Sequence, residues 1–182
     1  MTRAHPDMWV DPEDDPRDSG ETTRGEQACV LDYLQAYRLT IELKCQDLTV
    51  EQMAARSVPP STMSLLGMIR HLARVEHHWA RRVLEGHAEL PRLYRTDEQP
   101  DLDFDGVQAD SAQIQDAWES WKREVAHAED VASRLTDWSV LVRSGSDEIE
   151  IRDVYVHLVE EYARHAGHAD LLRECIDGRT GQ

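Results

Sequence analysis

Residues 157–174 read HLVEEYARHAGHADLLRE, and the way this stretch must sit decides the fold. With Val154 added upstream, steps of three and four residues pick out Val154, Leu158, Glu161, His165, His168 and Leu172. That is one face of an α-helix. Its ends are apolar and point at a core, yet a carboxylate and two imidazoles fill its middle. Burying such groups without partners is costly, so the face must meet either a metal ion or a closed hydrogen-bond network on neighbouring helices.

Three other long segments carry the same periodicity. A first helix is predicted from about Gly25 to Asp47, with Val30, Leu34, Tyr37 and Ile41 on one stripe. Thr49 with Gln52 three residues on forms a capping-box pattern that opens a short helix through Ala55. The stretch SVPPST then breaks the chain at Pro59 and Pro60. A second long helix is expected from Ser61 or Thr62 to Gly86, its inner stripe Leu65, Met68, Leu72, Val75, Trp79 and Val83. A polar connection runs from His87 to about Gln108; at that length it reads as a crossover and not a tight hairpin. The third helix spans about Ala109 to Thr136, capped by Asp110 or Ser111, with Ile114, Trp118, Trp121, Val125 and Leu135 on its apolar side. SVLVR and EIEIR alternate around SGSD and predict a small hairpin. The fourth helix follows, from near Arg152 to about Cys175, ahead of Gly178. The expected fold is all-α: a four-helix bundle over residues 25–178, with a long crossover between helices 2 and 3 and a small hairpin before helix 4.

Composition narrows the functional classes. The 182 residues hold 36 Asp and Glu against 20 Lys and Arg, a net charge of −16. Such a surface disfavours nucleic-acid backbones and anionic membranes as partners. Residues 1 to about 24, with Pro6, Pro12, Pro16 and many acids, read as an acidic flexible tail. No apolar run approaches the roughly 20 residues of a membrane span, and the first residues lack a signal-peptide core, so a cytoplasmic location is expected. Cys29, Cys45 and Cys175 form neither a disulfide framework nor a zinc-ribbon pattern. Lys44 and Lys122 are the only lysines, a bias that, with abundant Ala, Asp and Glu, fits a GC-rich bacterial genome.

Glu161 and His165 lie one turn apart and can share a metal ion. A third ligand must come from another helix, and His71, three after Met68 and four before Val75, shares the inner face of the second. Two histidines and one carboxylate leave coordination positions open for water or substrate. A buried Glu–His network that fixes helix register would use the same residues, and spacing alone does not separate the two. His168 lies on the same stripe and is placed behind the ligands, where it would orient one of them or the substrate. His77, His78, His87, His127 and His157 are read as surface or structural, and Glu76 and Glu160 as helix-surface ion-pairing residues.

SLLGMIRHLARVEHHW, residues 64–79, resembles the second-helix motif of the DinB-like superfamily, and residues 157–174 resemble its fourth-helix motif more closely still. The likeness extends over about residues 26–178 and is nearest to the actinobacterial branch related to mycothiol-dependent enzymes, including the maleylpyruvate isomerase metal-binding domain. It implies a four-helix bundle, often dimeric, whose divalent metal is held by positions matching His71, Glu161 and His165. It further implies an enzyme that activates a low-molecular-weight thiol, mycothiol foremost, for S-transfer to a small electrophile or for its isomerisation. Zinc is the first expectation for the metal, with nickel, iron or manganese as alternatives. A metal-dependent hydrolase or a non-catalytic metal- and metabolite-binding protein would use the same ligands. Asp153 stands where relatives commonly carry Trp in the approach to the fourth helix.

Overall fold

The computed structural model describes residues 7–18, 20 and 22–181. Its elements in chain order are a 3-10 turn (Pro12–Asp14), α1 (Glu26–Cys45), α2 (Val50–Ala54), α3 (Leu65–His77), α4 (Leu102–Asp105), α5 (Ser111–Arg134), a hairpin of β1 (Leu141–Ser144) and β2 (Asp147–Glu150), and α6 (Ile151–Asp177). Beyond His77 the backbone of α3 continues as a π-helix over His78–Leu84 and stops at Gly86, whose φ is +78°. The chain is therefore mainly helical, and its strands form one two-stranded antiparallel ribbon.

Local chemistry sets the element ends. The Thr49 side chain accepts from the Gln52 amide while Gln52 accepts from the Thr49 amide, the reciprocal box that the spacing predicts. Asp110 caps α5 by accepting from the Ala112 amide, and Gly178, at φ +75°, closes α6. The second long helix starts at Leu65, later than the sequence suggests, because Ser64 takes the capping role and accepts from the Gly67 amide.

Packing follows the stripes. α1 lies along α6, and α3 along α5. Leu34 and Ile41 of α1, Leu65, Met68 and Leu72 of α3, Ala117 and Trp121 of α5, and Val154, Leu158 and Leu172 of α6 close into one apolar cluster. Each buried Leu or Ile contributes about 1.5–3 kcal/mol relative to exposure. None of the described helices is long and apolar enough to cross a membrane.

Two segments carry contacts that their composition does not announce. The connection after Gly86 contains α4, which docks on α3. In the acidic N-terminal segment, residues 1–6 lie outside those described, but Trp9 is only 1% exposed. Its ring lies 3.8 Å from the Arg179 guanidinium carbon and 3.9 Å from Lys44 Nζ. Cation–π attraction holds Trp9 against these cations.

Candidate metal centre

α6 and α3 bring His71, Glu161 and His165 together. One ligand-type atom from each lies within 4.8 Å of the others. His165 Nε2 is 3.4 Å from Glu161 Oε2, and His71 Nε2 is 3.8 Å from the same oxygen. The His71 and His165 rings stand 4.7 Å apart between centroids. His165 is buried and the other two are half-buried.

His71 is aimed by a residue that the sequence reading missed. Asp103, fully buried on α4, accepts from His71 Nδ1 at 2.8 Å and pairs with Arg74 Nη2 at 3.1 Å. Arg74 Nη2 also lies 3.0 Å from His71 Nδ1. An ionised Asp103 can only accept, however, so the pairing favours the tautomer with the proton on Nδ1 and the Nε2 lone pair toward Glu161 and His165. That buried nitrogen has no hydrogen-bond partner among the described residues. An orphaned imidazole nitrogen beside a carboxylate and a second imidazole is a donor set suited to a divalent transition metal. The carboxylate behind His71 is the usual support for a metal-binding histidine.

Gly67 explains how α4 comes this close. A Cβ there would lie 2.8 Å from Phe104 Cδ1 and 3.3 Å from the Phe104 Cα. Phe104 in turn stands over His71, 5.3 Å between ring centroids. A glycine inside a helical pattern costs about 1 kcal/mol relative to alanine, so Gly67, one turn before His71, was the available sign of a close neighbour.

The electrostatics agree with the geometry. The His165 and His71 rings hold the Glu161 carboxyl far below its ordinary range, against the opposing effect of burial. Burial lowers the basicity of His71, but Asp103 and Glu161 outweigh it and the net direction is up. His168 lies edge-on to His165 at 5.4 Å; it stands outside the three-residue cluster, and burial followed by the His165 charge lowers its pKa.

A cavity of about 250 Å3 opens over His71 and Glu161. His77, His78 and His157, read from the sequence as surface or structural, all line it, as do Val75, Trp79 and three arginines. His157 Nε2 is 3.4 Å from Glu161 Oε1, and its ring meets Trp79 edge-on at 5.0 Å. Glu76, expected at the surface, is instead fully buried and held by Arg38 and Tyr162. Glu160 does pair on the helix surface, with Arg164 at 2.7 Å. Asp153 accepts from the Glu150 amide at the start of α6 and is not among the residues lining the cavity.

A family model described as mycothiol-S-transferase matches residues 29–178. No curated protein and no solved structure gives a match.

Proposed function

This chain belongs to the mycothiol-S-transferase family, and we propose that it is a divalent-metal-dependent enzyme that joins mycothiol to a small electrophile. The observation that carries the reading is the buried, unpartnered Nε2 of His71, facing Glu161 and His165. His71, Glu161 and His165 would hold the ion, zinc first and nickel, iron or manganese next, in a DinB-like four-helix bundle of residues 25–178.

A divalent ion bound there supplies the positive charge that keeps a thiol in its thiolate form near neutral pH. The protein does the remaining work. Asp103 keeps the proton of His71 on Nδ1, and Val75 and Trp79 form an apolar wall of the cavity that limits water. His168 braces His165 from the side, ring against ring.

In substitution, the sulfur–carbon bond forms as the leaving group departs with its electron pair, and the thiol proton ends on that group. In addition to an activated double bond, the same proton ends on the carbon next to the activating group. Elimination after rotation would return the thiol and an isomerised product.

A cytoplasmic location follows from the use of a cytosolic thiol, and a homodimer is the assembly we expect. The test is conjugation of mycothiol to monobromobimane by zinc-, nickel-, iron- and manganese-loaded protein. We expect turnover well above the His71→Ala variant. Equal rates for wild type and variant across a panel of thiols and acceptors would refute thiol transfer.

A further inference from the structure

The cavity that His71 and Glu161 line is also basic, in a chain whose net charge is −16. Arg74, Arg92 and Arg95 line it, against the single carboxylate of Glu161. Arg74 is paired with Asp103. Among the described residues, neither Arg92 nor Arg95 has a carboxylate within ion-pair distance, although acids are plentiful elsewhere on the surface.

Arg74 and Arg95 are also held close together. Arg74 Nη1 and Arg95 Nη1 both donate to the carbonyl oxygen of Pro100, each at 3.1 Å. Asp103 offsets the charge of Arg74, so the positive charge left unbalanced on this wall is that of Arg95 and Arg92. Guanidinium forks match the oxygen spacing of carboxylates and phosphates. Mycothiol brings no such anion, because the carboxyl of its cysteine is tied up as an amide.

On the thiol-transfer reading above, we propose that the acceptor is an acidic electrophile: its carboxylate or phosphate oxyanion is seated by Arg92 and Arg95, and its reactive carbon faces the metal ligands. Trp79 and Val75 are positioned to pack on its apolar part. His78, on the same wall, is pulled down to about 4 by burial and by Arg92, Arg82 and Arg74, so it stays neutral and leaves the positive charge to the arginines. Arg92 and Arg95 are specificity residues under this proposal; they take no part in bond making.

The experiment has a binding arm and a turnover arm. Calorimetric titration of the full chain, metal-free and zinc-loaded, uses succinate, inorganic phosphate and the neutral succinamide. Succinate or phosphate should bind saturably in both forms and succinamide should not. Arg92→Ala and Arg95→Ala should each weaken oxyanion binding by about ten-fold or more, with partial recovery in Arg92→Lys. For turnover, iodoacetate and iodoacetamide are offered with mycothiol, and each enzymatic rate is divided by its uncatalysed rate. The iodoacetate-to-iodoacetamide ratio should exceed one and collapse in the two alanine variants.

Equal binding of succinate and succinamide, or binding untouched by both substitutions, overturns the anion seat. Conjugation of both acceptors regardless of the arginines sinks the seat and leaves thiol transfer standing. Arginine-dependent oxyanion binding with no conjugation of either acceptor sinks thiol transfer and leaves the seat.

Discussion

Glu161 and Tyr162 are neighbours on α6, yet they belong to two polar clusters of opposite character. Tyr162 sits in a closed one. Arg38 holds both oxygens of Glu76, at 2.9 and 3.0 Å, the Tyr162 hydroxyl donates to Glu76 at 2.7 Å, and Trp121 donates to Tyr162 at 2.8 Å. Arg38 and Glu76 are 5% and 0% exposed. Glu161 sits in an open one, where His71 Nε2 lacks a partner and a cavity gives access. A satisfied buried network fixes the register of the helices that contribute to it. An incompletely satisfied one beside a cavity keeps a polar atom without a partner, which calls for a different explanation. Adjacent residues on one helix thus belong to a closed network and to an open one.

The contrast is most strongly tested by removing its best-tied member. Glu76→Ala would leave Arg38 charged and buried and should cost about 3–5 kcal/mol in urea unfolding. A loss under about 1 kcal/mol would mean that the closed cluster is not what holds α1, α3 and α6 in register. The converse substitution lies in the open cluster. Glu161→Gln should lower zinc affinity at least about 100-fold, and Asp103→Asn about 10- to 100-fold, both read by competition with a chromogenic chelator. In metal-free protein, Glu161→Gln should destabilise by well under half of the Glu76→Ala effect. If it unfolds the chain as readily as Glu76→Ala, the two clusters do not differ in kind.

The smallest effect concerns pH. His78, on the cavity side, has a folded pKa of about 4, below its ordinary 6.5, through burial and neighbouring arginines. Between those values the unfolded chain binds the proton and the folded chain does not, so stability rises with pH. The contribution is complete above about 6.5 and is lost as pH falls toward 4. After solvent screening it is on the order of 1–2 kcal/mol. His78→Gln should flatten unfolding free energy against pH across that window, and an unchanged slope would remove His78 as the source.

What the sequence disclosed divides along the same line. Features carried by period or by local spacing were readable: the four stripes, the Thr49–Gln52 box, the hairpin, and the paired positions of Glu161 and His165. His71 was readable because it interrupts an apolar stripe. Features made by distant partners were not. Glu76 looks like any helix-surface acid until Arg38, 38 residues earlier, and Tyr162, 86 residues later, close around it. Asp103 lies in a four-residue helix too short to show a period, inside a polar connection. Trp9 is held by cations from α1, α6 and the residues after α6, which no local pattern announces.

The π-helical stretch His78–Leu84 gives the second long helix two phases. Upstream of it, the phase is set by the need of His71 to face α6; downstream, by the packing of Ala80 and Val83 into the interior. A wide turn absorbs roughly one extra residue, or about 100° of rotation in ordinary α geometry. Deleting one residue from that stretch should let it close to ordinary α geometry, with the downstream residues keeping their side of the axis and His71 staying in place. The turn therefore acts as a buffer of chain length, taking up an extra residue between the face that carries His71 and the buried Ala80 and Val83 without turning one against the other.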